Sequence, residues 1–354
     1  MDASSKPSAS HISLNQAIYQ GPNLIVELAF ILLRFMLGKF GSISDIEKAF
    51  LRILIVEHDR DALRFFWLVD PFDPNSALIS YRFKAVMFGS SASPFQLAAV
   101  LHTLIKNDCH NKKVQQALES GIYVDNVIYA TDSEDQLLEF FDVSREVFTG
   151  GSFNLRQWVS NSLKLREKAK ILQVADENVI VKVLGLYWDI DRDRYLYNTE
   201  FEWDGNFTKR SALRFTNRAF DPLGWLAPIS TWRRLFIRKL CDKKLGWEDS
   251  FEFLDDLAKQ WLHLVRETHI AVTASKARQV TFTNNSELHI FSDASIEAYG
   301  AVVYVRTPPS LENPEGSVHL VNAKGKVTPR KGICTVPRFE LSGVVVAGRL
   351  VSYL

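Results

Sequence analysis

Two aspartates set inside strand-forming apolar sequence constrain this chain more than any other feature. Asp45 lies between Ile43 and Ile46, and Asp125 follows Tyr123-Val124. A carboxylate withdrawn from water is costly unless it is paired, hydrogen-bonded or bound to a cation. Taken singly, each has a plainer reading, Asp125 as a turn residue and Asp45 as a helix N-cap.

The surrounding pattern mixes helix and strand. Residues 24–38 are apolar on nearly every helical face, which reads as a helix packed on more than one side. Residues 43–56 read as a buried strand leading into a short helical turn, and 65–69 and 79–83 as strands either side of a Pro- and Asp-rich turn. Ser93-Pro94 opens a helix. Residues 121–131 predict a hairpin turning at Asp125-Asn126, and Asp132-Ser133 caps a helix running to Phe148. Residues 181–189 read as one apolar strand. An amphipathic helix starts near Leu254, strands resume over 287–305, and a last helix follows Pro337. The polar stretch 273–285 reads as a boundary between differently textured regions.

Composition narrows the class. With 354 residues, 47% hydrophobic and 23% charged, the chain excludes disordered, collagen-like and disulfide-rich classes and has apolar material for two domains. Cys109, Cys241 and Cys334 are far apart with no CxxC, so neither a disulfide framework nor a zinc finger is expected, and a reducing intracellular setting fits. The N-terminus lacks the apolar core of a signal peptide, and Glu27, Arg34 and Lys39 interrupt the most apolar early stretch, so no membrane span is expected. The net charge of +1 places any phosphate binding in patches: Arg156 to Lys170; Lys209, Arg210, Arg214 and Arg218; Arg233, Arg234, Arg238, Lys239, Lys243 and Lys244; and Lys324, Lys326, Arg330, Lys331 and Arg338. Each patch alone reads equally as a solvated face. Trp158, Trp225, Trp232 and Trp247 are interleaved as candidates for sugar or base contact. Asp-Thr-Gly, GxSxG, HExxH and a Walker-type loop are missing.

Motif order is more specific. Asp45-Ile46-Glu47-Lys48-Ala49-Phe50, then Phe88-Gly89-Ser90-Ser91-Ala92-Ser93-Pro94-Phe95, then Tyr123-Val124-Asp125-Asn126 resembles the palm of a reverse transcriptase, most closely that of Pao/BEL long-terminal-repeat retrotransposons. Ser13-Leu14-Asn15, Gly21-Pro22-Asn23-Leu24, Leu184-Gly185-Leu186-Tyr187-Trp188-Asp189 and Phe220-Asp221-Pro222-Leu223-Gly224 extend the resemblance over nearly the whole chain. It implies an α+β protein, a right-hand polymerase followed by an incomplete RNase H-like module. The expected domains are partial fingers and palm over 1–190, thumb and connection over 191–280, and the start of RNase H over 281–354.

By the same resemblance Asp45 and Asp125 hold two Mg²⁺ ions for RNA-directed DNA synthesis from deoxynucleotide triphosphates. Phe50 is the steric gate, with core packing as its alternative. Phe88, Gly89 and Tyr123 border the nucleotide, and Gly89 allows close backbone approach. Leu184-Gly185 holds the primer end, unless Gly185 merely marks a bulge. Arg210, Arg214, Arg233 and Arg234 contact the RNA template and DNA primer. Leu288 to Ser295 and Pro337 to Leu341 resemble the opening hairpin and first helix of RNase H, making Asp293 and Glu340 two of its ligands. The family's YVDD ends here in Asn126, which removes a negative charge beside the metals and predicts crippled or absent polymerisation. The other readings are a non-catalytic remnant that binds nucleic acid and an unstable pseudogene product. The resemblance also implies a slice of a Gag-Pol polyprotein in cytoplasmic virus-like particles.

Overall fold

The computed structural model describes residues 2–198, 202–309, 314–330 and 335–352, so Lys331 and Cys334 lie outside the described residues. The chain forms two compact units, one of Met1–Glu27 with Phe40–Asp176, the other of Leu28–Lys39 with Glu177–Leu354.

The first unit contains α1 (Leu14–Ala17), β1 (Phe40–Ile46), β2 (Arg64–Leu68), β3 (Leu78–Arg82), α3 (Ser93–Asp108), α4 (Lys112–Gly121), β4 (Ile122–Tyr123), β5 (Asn126–Thr131), α5 (Glu134–Gly150), β6 (Leu155–Ser160) and α6 (Leu163–Ile171). Its central sheet is antiparallel in the order β4-β5-β1-β6. β1 is interior to this sheet: Ser42, Ile43, Ser44 and Ile46 are all buried, on both faces. Ser133 caps α5 by accepting from the Gln136 amide, as Ser-x-x-Gln predicts. The same helix carries Phe140 and Phe141 onto the sheet, Phe140 stacked 4.1 Å from Tyr129 and Phe141 edge-on 4.7 Å from Trp158. Such pairs add about 0.5–1.5 kcal/mol each beyond the area they bury.

The second unit contains α2 (Leu28–Leu37), β7 (Ile180–Val183), β8 (Leu186–Asp189), β9 (Arg194–Leu196), α7 (Lys209–Thr216), α8 (Ala227–Asp242), α9 (Asp255–Thr273), β10 (Lys276–Ala277), β11 (Glu287–Ala294), β12 (Ala298–Thr307), β13 (Ser317–Val327) and α10 (Val336–Val351). One sheet runs β10-β9-β8-β7 and another β11-β12-β13. The single strand expected over 181–189 is two strands, β7 and β8, joined at Leu184-Gly185. The stretch 273–285, expected to be a boundary, is firmly held. Lys276-Ala277 pairs with β9, Val280 donates to Met36 O at 2.8 Å, and Arg278 is fully buried.

Arg278 organises this region. It donates to both carboxylate oxygens of Asp193 at 2.6 and 2.9 Å, and to the carbonyls of Phe35, Gly38 and Lys39 at the C-terminal end of α2. Its guanidinium also lies 4.8 Å from the Phe35 ring centroid and 5.6 Å from that of Trp188. A planar five-donor fork is what lets one side chain satisfy a carboxylate and three carbonyls together. No described helix is long and apolar enough to cross a membrane.

Candidate active site

Asp45 is the penultimate residue of β1, and its register partner on β5 is Asn126. Asp125 occupies the turn joining β4 to β5, and its carbonyl accepts from the Ile46 amide at 2.8 Å. The two aspartates therefore meet at one sheet end. Burial raises the Asp45 pKa, and the charges of Asp125 and Glu47 add to the rise. Glu47 shifts the other way. Hydrogen bonds from Asn154 at 3.0 Å and Arg156 at 2.8 Å hold it below the usual carboxylate range.

The pairing of β1 with β6 slips by one residue between Ile43 and Asp45. The extra residue is on β6, where Gln157 takes φ +53°. This bulge sets Arg156 opposite Asp45, a device common where a strand must re-aim a functional side chain.

The hairpin turn falls one residue earlier than expected, at Val124-Asp125 instead of Asp125-Asn126, and Val124 takes φ +56°. Asn126 is drawn into β5 because it pairs with Tyr123 on one side and Asp45 on the other. The turn must then close on a β-branched residue in the left-handed region, at roughly 1–2 kcal/mol.

From β5 the Asn126 side chain turns back, its Nδ2 donating to Asp125 Oδ1 at 3.0 Å. Among the described residues no three His, Cys, Asp or Glu side chains converge as a metal site would require. Divalent magnesium demands a set of oxygen ligands in near-octahedral geometry. Two carboxylates, one already accepting from an amide N–H, do not by themselves form a complete ligand set for a pair of such ions, whose remaining positions would fall to water and substrate phosphate.

Phe50 is 7% exposed in the core, its ring 5.0 Å from Phe88, which is 62% exposed. Burial of this degree is what the core-packing alternative for Phe50 requires. Phe50→Ala is expected to destabilise the first unit by about 3–5 kcal/mol, whereas Phe88→Ala changes stability by under about 1 kcal/mol; denaturant unfolding measures both.

Gly89 has φ +88° with open space where a Cβ would stand. Backbone conformation requires this glycine, and no described protein atom crowds the space where a Cβ would stand. Asn15 clips the turn from the other side, donating to Gly89 O at 2.9 Å and accepting from Ser91 N at 2.8 Å. Asn15 was legible only as part of a motif, because its partners are over seventy residues away.

In the second unit, Leu184 and Gly185 both take positive φ, the signature of a tight two-residue hairpin turn, so Gly185 is no bulge. A Cβ at Gly185 would collide with the Phe220 ring. Asp221, in the same motif as Phe220, accepts from the Trp225 and Leu226 amides at 2.9 and 2.7 Å and from Tyr197 Oη at 3.1 Å. Burial raises its pKa and these hydrogen bonds oppose the rise.

The basic residues sort differently from expectation. Arg233 is 1% exposed, on the stripe of α8 that buries Phe236 and Leu240, so it cannot reach a phosphate. Its Nη2 donates to Ser230 Oγ at 3.1 Å, and burial pushes its pKa down to about 10. Arg210 pairs with Glu248 and lies over Trp247, and Arg214 pairs with Asp204 at 3.4 Å. Lys164 and Lys168 likewise pair with Glu134 and Asp142. Arg234 is exposed and donates to Gly325 O at 3.1 Å. Of the four tryptophans, Trp158 and Trp225 are buried, Trp247 lies under Lys209 and Arg210, and Trp232 is exposed.

Asp293 is exposed near the end of β11, with its carboxylate accepting from the Ala294 amide at 2.8 Å. Glu340 is half-buried on α10, one turn before Gly343, the residue that approaches the backbone of Asp293 and Gly300.

Comparison with known structures gives the fold. The chain shares its fold with foamy viral protease–reverse transcriptase. A structure of that protein in complex with RNA/DNA hybrid matches 93% of this chain at 14% identity with a TM-score of 0.57. Another, of a form designated dRH in complex with double-stranded DNA, matches 95% at 14% identity with a TM-score of 0.55. This chain spans 39% and 50% of those two chains. Residues 208–354 are similar to the family model described as the Pao retrotransposon-like RNaseH-like domain. The match begins at α7, well before the RNase H-like boundary expected at 281. No curated protein matches the chain at a significant level.

Proposed function

We propose that this chain is the palm and RNase H-like part of a Pao-type reverse transcriptase, keeping the scaffold of an RNA-directed DNA polymerase with its transfer step disabled at Asn126. The observation that carries this reading is the hydrogen bond from Asn126 Nδ2 to Asp125 Oδ1, made where Asp45 and Asp125 meet. An aspartate at 126 would add a third anion beside Asp45 and Asp125; the amide supplies a donor instead.

The remaining residues take the roles their positions suit. Tyr123, Phe88 and Gly89 border the incoming deoxynucleotide, with Phe50 beneath Phe88. Leu184-Gly185 presents a rigid turn to the primer end. Arg234 supplies a cation for the duplex backbone, and phosphate contacts of this kind set affinity without reading sequence. Asp293 and Glu340 belong to the RNase H-like module. The substrates of the parent activity are an RNA template, a DNA primer and deoxynucleotide triphosphates. Its setting is a Gag-Pol polyprotein in cytoplasmic particles.

Primer extension on an RNA template tests the reading. The native chain with Mg²⁺ is expected to yield no product, Asn126→Asp to extend the primer, and Asn126→Asp with Asp45→Ala to be silent again. Template–primer affinity, measured by fluorescence anisotropy, should be the same for all three. Extension by the native chain would show that two carboxylates suffice, and loss of duplex binding would remove the polymerase scaffold from the proposal.

A further inference from the structure

We propose that the Asn126 side-chain amide takes the place of the cation at this sheet end, so that the native chain folds independently of divalent metal and a single reversion makes its stability metal-dependent. The inference concerns the same site as the functional reading, but it requires neither nucleic acid nor catalysis.

Asp45 and Asp125 stand at the end of adjacent antiparallel strands, with register set by Asp45 opposite Asn126 and by the Ile46 N–H to Asp125 O bond. That register is built by backbone pairing, so it persists whatever the side chains carry. Two carboxylates held this way repel one another and are both partly withdrawn from water, an arrangement that needs positive charge or hydrogen-bond donors.

The neighbouring side chains explain where the compensation comes from. Arg156, the register partner of Asp45 on β6, donates to Glu47. Arg52 also approaches Glu47, 3.9 Å away. Lys48, next to Glu47, caps the following 3-10 turn (Ala49–Arg52) in the left-handed region, and its side chain is exposed. Asn126 Nδ2 is the donor that reaches Asp125.

An aspartate at 126 would do the reverse on every count. The donor disappears, a third negative charge arrives on a half-buried strand residue, and the three carboxylates together become a ligand set for a hard cation. Asn126→Asp should therefore lose stability in metal-free solution and regain it when a divalent ion binds only the folded state. In the native chain the amide N–H already engages one of the two Asp125 oxygens, Oδ1, and the third carboxylate is missing.

The experiment is thermal unfolding of the full chain with and without Mg²⁺ or Mn²⁺, beside Asn126→Asp. The native midpoint is expected to be unchanged by either ion. The metal-free midpoint of Asn126→Asp should fall by roughly 3 °C and return to the native value or above with Mn²⁺. If Asn126→Asp does not fold without metal, recovery of a cooperative transition on refolding with Mn²⁺ is the same result in stronger form. Paramagnetic titration of Mn²⁺ against the native chain supplies the second measurement, with no tight uptake expected. The proposal is overturned if the native midpoint rises with Mn²⁺, if the native chain binds Mn²⁺ and loses it on Asp45→Asn, or if Asn126→Asp matches the native chain in stability without metal. Failure of primer extension in Asn126→Asp leaves these readings untouched, so the two proposals fail separately.

Discussion

Arg278→Met is expected to destabilise the second unit by about 3–5 kcal/mol, the range for removing one partner of a buried ion pair. The substitution keeps much of the side-chain volume but strips donors from the Asp193 carboxylate and from three carbonyls at the end of α2. Trp188 Nε1, 2.8 Å from Asp193 Oδ1, would be the carboxylate's remaining side-chain donor. Arg278→Lys should recover little, because an ammonium cannot span both oxygens and the carbonyls at once. Adding Asp193→Asn to Arg278→Met removes the uncompensated charge and should restore part of the loss. Chemical denaturation of the four proteins reads this directly. A loss below about 1 kcal/mol in Arg278→Met would mean that water replaces the guanidinium at little cost.

Gly224→Ala is the second large effect. Gly224 has φ +71°, and a Cβ there would be driven into the carbonyl oxygen of Ala323. The same junction carries the Ala323 N–H to Leu223 O bond at 2.9 Å and the Trp225 Nε1–H to Val321 O bond at 3.0 Å. Together they dock the start of α8 on β13. A methyl group must part this junction, and the obstruction is backbone, which cannot swing aside. The expected loss is about 3 kcal/mol or more, combining left-handed strain with broken hydrogen bonds. Hydrogen exchange at the Ala323 amide should accelerate in step. Gly89→Ala is the control: its φ is +88° but its Cβ would meet nothing, so only the conformational cost of roughly 1–2 kcal/mol applies.

These two residues also mark what sequence can and cannot reveal. The meeting of Asp45 with Asp125 was legible because apolar strand-formers flank both and the order of motifs is specific. The exact turn was not, since no local preference places Val124 in the left-handed region; pairing of Asn126 with Asp45 imposes it. Leu184-Gly185 suggested a hairpin by resemblance, while hydropathy alone blurred β7 and β8 into one strand. A cation's partner can lie far along the chain, as Glu248 does for Arg210, so a basic run in the sequence does not reveal which cations are already paired. Arg233 shows the related failure: charge in a sequence reads as surface, yet a helix stripe can bury a guanidinium. Arg278 was hidden for the same reason, inside a polar stretch that looked like a boundary.

The Arg278 clamp has a consequence for synthesis. The carbonyl of Phe35 receives its donor from a residue 243 positions later. At ordinary elongation rates of about 5–20 residues per second, the end of α2 waits on the order of ten to fifty seconds for that guanidinium. Meanwhile Ile31, Leu32, Leu33, Phe35 and Met36, all buried in the finished protein, have no finished unit to enter. Residues 40–176 emerge in the interval as one uninterrupted stretch and complete their own core. The order of birth along the ribosome is thus inverted for α2: among the first helices made, it meets Trp188 and Tyr195 only later, and an interrupted translation product ending before residue 278 leaves its last carbonyls without the Arg278 donor.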